Sequence, residues 1–163
     1  MPRPGPDAAV TLSVLDRLIN DDPQTSSEAP LTRAQSVRML RDGVRRDLEW
    51  LLNTRQVAVP PPESLRELGR STYVFGLPDF SGYNLGAVAA EARITRQLQF
   101  ALKVFEPRLA RVRLVPLEPM AAKTRTFRFR IEALLLMDPA PEHISFDTVL
   151  QLTTNQYEVQ NAG

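Results

Sequence analysis

Phe127-Arg-Phe-Arg-Ile-Glu-Ala-Leu-Leu135 is the stretch that decides the fold. Successive side chains of an extended strand point to opposite faces. Phe127, Phe129, Ile131, Ala133 and Leu135 therefore share one face, and Arg128, Arg130, Glu132 and Leu134 share the other. The same period of two continues on both sides. Downstream, Ile144, Phe146, Thr148, Leu150 and Leu152 form a third alternating set. Upstream, Val112, Leu114 and Pro116 alternate with Arg111, Arg113 and Val115. Three strands result, joined by residues 117–123 and by Asp138-Pro139-Ala140-Pro141, connections short enough to favour antiparallel pairing.

Before Pro107 the period is helical. Val37, Leu40, Val44, Leu48 and Leu51 recur at three- and four-residue spacing, predicting a helix from Thr32 or Ala34 to Thr54. A second long helix spans residues 85–105, its stripe made of Ile94, Leu98, Ala101, Leu102 and Phe105 and extended toward the start by Val88. A short amphipathic helix over residues 11–20 puts Leu12, Leu15, Leu18 and Ile19 on one face, and Asp21-Asp22-Pro23 ends it. Residues 24–30 form a polar loop. Val59-Pro60-Pro61-Pro62 interrupts helix formation, residues 63–69 form one or two turns, and the aromatic residues 71–82 make an ordered loop against the core.

Helices first and strands later define an α+β fold: two long helices and a short N-terminal one packed on a small, mainly antiparallel three-stranded sheet. The organisation is a flexible Pro-rich segment at residues 1–10, a single domain at 11–155 and a tail at 156–163. Such a sheet has open edges, whose unpaired backbone groups can accept a strand from another chain.

Composition narrows the function. Twenty Lys and Arg against nineteen Asp and Glu leave a net charge of +1, without the basic excess of a nucleic-acid binder. Lys103 and Lys123 are the only lysines, and arginine is the better interface residue of the two. Arg38, Arg41 and Arg45 form a row on the first long helix; it reads either as a solvated face or as a docking surface for an acidic partner. Asp42/Arg46 and Arg45/Glu49 are spaced to pair at i,i+4. Cysteine is absent, which excludes disulfides and thiolate metal sites. No apolar run approaches the roughly 20 residues that cross a bilayer.

Groups for catalysis are sparse. His143 is the only histidine, so no second one exists to complete a zinc site, and a nucleophilic Ser-His pair would have to use it. The seven glycines follow no phosphate-loop spacing. Paired carboxylates alone can hydrolyse glycosides when held roughly 5–10 Å apart. Glu106 and Glu118 are one candidate pair, and Asp79 lies in the aromatic loop.

Glu106-Pro107-Arg108 stands where the second long helix gives way to the sheet. Pro107 turns Glu106 away from helical angles, so local sequence makes the triplet a corner: helix stop, salt bridge, strand start. Ser13-Val-Leu-Asp-Arg-Leu18, Ser36-Val-Arg-Met-Leu-Arg-Asp-Gly-Val-Arg-Arg-Asp-Leu-Glu-Trp-Leu-Leu-Asn-Thr-Arg55 and Tyr73-Val-Phe-Gly-Leu-Pro-Asp-Phe80 resemble the type VI secretion baseplate subunit family TssE. That family is similar to the wedge protein of contractile phage-tail baseplates, once described as lysozyme-like. The run ending at Arg55 is the most specific element, then Gly76-Leu-Pro-Asp79, and the likeness covers residues 12–154. Val74-Phe75 departs from many relatives.

The resemblance implies a non-enzymatic structural subunit without cofactor or metal. Glu106, Pro107 and Arg108 match the family's docking triplet residue for residue, implying contact with the core bundle of the wedge. The implied partners are other wedge subunits and the first ring of sheath subunits, which the sheet edges help to nucleate. The setting implied is a cytoplasmic baseplate docked to an inner-membrane complex. No nucleic acid, membrane insertion or small-molecule substrate is expected. The lysozyme-like label leaves a peptidoglycan-hydrolysing enzyme as the alternative.

Overall fold

The computed structural model describes residues 8–19, 30–80, 82, 88–118, 126–151, 154 and 156–162. Its helices are α1 (Val14–Leu18), α2 (Arg33–Asn53) and α3 (Val88–Phe105), with 3₁₀ turns at Arg66–Arg70 and Thr72–Val74. The strands are β1 (Leu109–Pro116), β2 (Thr126–Leu135), β3 (Glu142–Gln151) and β4 (Gln156–Asn161). They form one antiparallel meander in the order β1-β2-β3-β4.

The α+β expectation holds, but the sheet has four strands rather than three. Residues 156–161, read from sequence as part of a tail, pair along β3 from Gln156 opposite Gln151 to Asn161 opposite Phe146. The segment offers only Tyr157 and Val159 as apolar residues, too few to establish a period. Both are buried beneath α2, whose packing supplies what the pattern lacks. Expectations for residues 1–7, 20–29, 81, 85–87, 119–123 and 152 lie outside the described residues.

The alternation in β2 places Phe127, Phe129, Ile131, Ala133 and Leu135 in the core, with Phe127 stacked on Phe129 at 5.2 Å. Ile144, Phe146 and Leu150 of β3 continue this inner layer. Opposite lie Leu40, Val44, Leu48, Leu51 and Leu52 of α2, and Ile94, Leu98, Ala101 and Leu102 of α3. At roughly 1.5–3 kcal/mol for each fully buried large side chain, this apolar layer is the main stabilising term. The loop after α2 closes over it through buried Leu77 and Phe80.

α2 begins at a reciprocal capping box: the Gln35 N–H donates to Thr32 Oγ1, and the Thr32 N–H donates to Gln35 Oε1 at 2.9 Å. After Thr54 the chain exchanges backbone bonds with Leu77, 2.9 Å in each direction. That crossing needs Gly76, whose φ is +101° and where a Cβ would stand 2.3 Å from the Thr54 carbonyl oxygen.

α1 differs from expectation. Leu12, just ahead of it, is buried, but Leu15, Leu18 and Ile19 are exposed, and the helix itself buries no residue. The helix spans only Val14–Leu18, shorter than the expected residues 11–20, so Leu12 and Ile19 fall outside it, and nothing among the described residues covers Leu15 and Leu18. β1 also departs from a regular strand, since its pairing with β2 shifts between Ala110 and Arg113 and Arg111 takes φ +53°.

Candidate protein docking site

α3 ends with the Glu106 N–H donating to the Leu102 carbonyl at 3.0 Å, and the Leu109 N–H then closes the corner on the Glu106 carbonyl at 3.1 Å. Pro107 stands exposed at the apex. Glu106 turns inward and is only 4% exposed. Arg108 grips it with both arms of its fork, Nε to Oε1 at 2.6 Å and Nη2 to Oε2 at 2.5 Å. The same Nη2 donates to Asp47 Oδ2 at 2.7 Å. Glu106 first, and Asp47 after it, hold the Arg108 guanidinium more firmly charged than usual, against the opposing effect of burial.

The chain of charges runs on from there. Asp47 Oδ1 accepts from Arg46 at 3.0 Å, and Arg46 also reaches Asp16 Oδ1 at 2.9 Å. Ser13 donates from its hydroxyl to Asp16 Oδ2 at 2.6 Å. Burial acts to raise the Asp16 pKa, but the Ser13 hydrogen bond and Arg46 outweigh it and leave it lowered. Glu106–Arg108–Asp47–Arg46–Asp16 thus ties the exit of α3 to α2 and α1. Gly43 makes the approach of α1 possible, since a Cβ there would lie 2.9 Å from Asp16 Oδ2. The expected Arg45–Glu49 pair is present at 3.3 Å. The Asp42–Arg46 pair does not form, because Arg46 turns to Asp16 and Asp47.

Beside these ion pairs lies an apolar depression of about 430 Å³. Leu15 and Trp50 border it, 49% and 67% exposed. Phe75 and Phe105, half-buried and edge-to-face at 5.2 Å, form its base, and Pro107 its rim. Leu15, Trp50 and Pro107 thus make an exposed apolar patch beside the corner. Trp50 has a legible signal in sequence, a large aromatic off the apolar stripe of α2. The parts played by Asp16, Arg46 and Asp47 have none, because their meeting depends on tertiary packing.

The sheet edges are unequal. Along β4, Asn53 and Arg45 of α2 occupy outward backbone groups of Tyr157 and Val159. Among the described residues, no side chain caps the outer backbone of β1 in this way.

The enzymatic candidates do not converge. Glu106 and Glu118 flank opposite ends of β1, whose eight residues span roughly 25 Å at about 3.3 Å per residue, too far for two acids acting on one glycosidic bond. Glu118 is exposed and faces Arg128, Asp79 pairs with Arg55 at 3.7 Å, and His143 lies exposed on β3 opposite Leu134. Among the described residues no cluster of three potential metal ligands occurs, and no helix is long and apolar enough to cross a membrane. Of the arginine row, Arg41 pairs with Glu142 and Arg45 with Glu49, while Arg38 is exposed.

The fold is a small α+β domain with an apolar groove beside an ion-paired corner. Residues 38–140, more than half of the chain, match the baseplate wedge protein gp25 family, and the chain belongs to that family. It is thus a structural subunit of the phage-baseplate type. No curated protein matches it.

Proposed function

We propose that this chain is the TssE-type subunit of a type VI secretion baseplate. It works without catalysis, in the cytoplasm, within a baseplate docked to an inner-membrane complex. The corner Glu106-Pro107-Arg108 docks onto the core bundle formed by other wedge subunits, and the sheet helps to nucleate the first ring of sheath subunits. The observation that carries this reading is exposed Pro107 on an ion-paired corner, next to the groove bordered by Trp50. A corner fixed by buried, charge-assisted bonds presents its apex with little ordering cost on binding.

Arg108 faces its own domain in the free subunit, so the triplet acts chiefly by holding Pro107 and the groove in place. The partially exposed guanidinium is still free to add a bond to an incoming carbonyl or carboxylate. For the sheath, support comes from the difference between the edges: β4 is capped by α2, which leaves β1 as the strand to be extended.

Co-purification with the other wedge subunits tests the reading. Wild type should recover the wedge, while Glu106→Ala and Arg108→Ala should stay folded and recover at most a tenth as much. Loss of folding in both variants would reduce the triplet to a purely structural corner. Release of muropeptides by purified protein, abolished by Glu106→Gln, would favour the hydrolase instead.

A further inference from the structure

Leu109 and Leu114 both turn toward the core, from an odd and an even position of one strand. Strict alternation cannot place both there. The pairing shift resolves this: Ala110 stands opposite Leu134 and Arg113 opposite Glu132, so Arg111 and Val112 together face Ala133. The extra residue lets Leu109, Val112 and Leu114 all reach the core and leaves Arg111 and Arg113 exposed. Packing thus accounts for the bulge. It does not account for an arginine at the left-handed position, where φ is +53° and glycine would sit without strain.

Over the bulge lies a depression of about 510 Å³. β1 contributes Arg111 and Arg113 to its lining, β2 contributes Glu132 and Leu134, and β3 contributes His143, which stands opposite Leu134 in the pairing. None of these residues belongs to the groove at Trp50 or to the Glu106-Pro107-Arg108 corner. The neighbouring guanidinium groups of β2 are matched: Arg130 holds Asp147 with two bonds of 2.6 and 3.0 Å, and Arg128 faces Glu118 at 4.0 Å. Arg111 and Arg113 make no ion pair among the described residues, although Glu132 is the register partner of Arg113.

Two unpaired guanidinium forks, two residues apart, suit the several oxygens of one phosphate group. The space falls within the roughly 300–1,000 Å³ of small-molecule sites. Leu134 and the imidazole of His143 offer a flat group a surface to lie on. Glu132 opposes a bare polyanion, but it can accept a hydrogen bond from a hydroxyl or amine of a larger ligand.

We propose that this depression binds a small phosphate monoester of mononucleotide size. Arg111 and Arg113 hold the phosphate, Glu132 accepts from a hydroxyl group, and the base lies on Leu134 beside His143.

His143 is the only histidine in the chain, so its imidazole proton signals report on this depression alone. Adenosine monophosphate, adenosine and inorganic phosphate are the probes, each titrated into the full chain at fixed pH and ionic strength and followed by NMR. Adenosine monophosphate should move the His143 signals saturably, with a Kd of about 1 mM or lower. Adenosine and inorganic phosphate should each bind about tenfold more weakly or worse, and Arg113→Gln should weaken the monophosphate about tenfold. Arg111→Gly should weaken it as much and yet hold or raise Tm, because glycine adopts the left-handed position freely. An arginine kept for structure alone would give the opposite, a lower Tm with binding unchanged.

No saturable shift with the monophosphate, equal affinity for adenosine or for inorganic phosphate, or unchanged binding in Arg113→Gln and Arg111→Gly would each overturn the proposal. The site shares no residue with the docking corner, so its failure leaves that reading untouched, and failure to recover the wedge leaves this one untouched.

Discussion

The side-chain amide of Asn53 reads Tyr157 as a neighbouring strand would: its Nδ2 donates to the Tyr157 carbonyl at 2.8 Å, and its Oδ1 accepts from the Tyr157 N–H at 2.9 Å. Arg45 reaches the next outward carbonyl, that of Val159, at 3.4 Å. The last turns of α2 thus close an edge that would otherwise be open to pairing with another chain.

Asn53→Ala removes both bonds at once. The side chain is largely exposed, so water replaces part of the loss and the cost should be about 1 kcal/mol. The larger effect should be on association. The variant should form concentration-dependent dimers or larger species through β4, seen by light scattering at concentrations where wild type is monomeric. A variant that stays monomeric would show that α2 covers the edge by bulk alone.

The triplet carries a stability cost alongside its proposed docking role. Glu106→Ala strips the buried end of the Arg108 fork and leaves that guanidinium with Asp47 only. Losing one member of a buried pair costs about 3–5 kcal/mol in full burial; with the Arg108 side chain 26% exposed, about 2–3 kcal/mol is expected. The protein should therefore remain folded at 25 °C with a Tm lowered by several degrees. A double-mutant cycle with Arg108→Met should recover a coupling of more than 1 kcal/mol. A coupling near zero would mean that the fork contributes nothing to the corner.

Acid should release α1 before the rest of the domain. The Asp16 pKa is lowered in the folded state, so its contribution is present above the unfolded carboxylate value of about 3.9 and is lost as pH falls through the folded value. Protonation there weakens the link to Arg46 that fastens α1 to α2. Because Arg46 is 38% exposed, the pair is worth no more than about 1 kcal/mol. Asp16→Asn should cost that much at pH 7 and show a flatter dependence of Tm on pH below about 4. Parallel curves for the two proteins would rule out Asp16 as the titrating link.

What the sequence made legible follows the same division between local and tertiary causes. The alternation from Phe127 to Leu135 and the stripe from Leu40 to Leu51 are local patterns, and both elements stand where they predict. β4 was not legible, because Tyr157 and Val159 become a strand only under α2 and beside β3. At the corner, the sequence shows that Pro107 must turn the chain and that Glu106 and Arg108 lie near each other. It does not show that Asp47, 61 residues away from Arg108, shares the guanidinium. Trp50 lies off the apolar stripe of α2, but nothing in the sequence reading singled it out, because its place in the groove depends on where Leu15 and Pro107 come to lie.

Two hydroxyls in the core provide a test of packing apart from any partner. Thr148 is fully buried on β3 and Tyr157 is 4% exposed on β4, and neither hydroxyl oxygen has a hydrogen-bond partner among the described residues. Burial pushes the Tyr157 phenol well above its ordinary pKa. A buried hydroxyl without a partner costs about 1–3 kcal/mol relative to its place in water. Thr148→Val keeps the branched shape that β3 favours and exchanges the hydroxyl for a methyl group. Tyr157→Phe removes one oxygen and leaves at most a small gap. Each should therefore raise stability, Thr148→Val by about 1 kcal/mol and Tyr157→Phe by somewhat less, or about 2–4 °C in Tm for the former. The two residues sit on adjacent strands, so the double variant should be measured as well, and gains within about 0.5 kcal/mol of additive are expected if each oxygen is isolated. A fall of more than 1 kcal/mol in either single variant would mean that its hydroxyl is bonded in solution, and the core around β3 and β4 would then have to be read as polar.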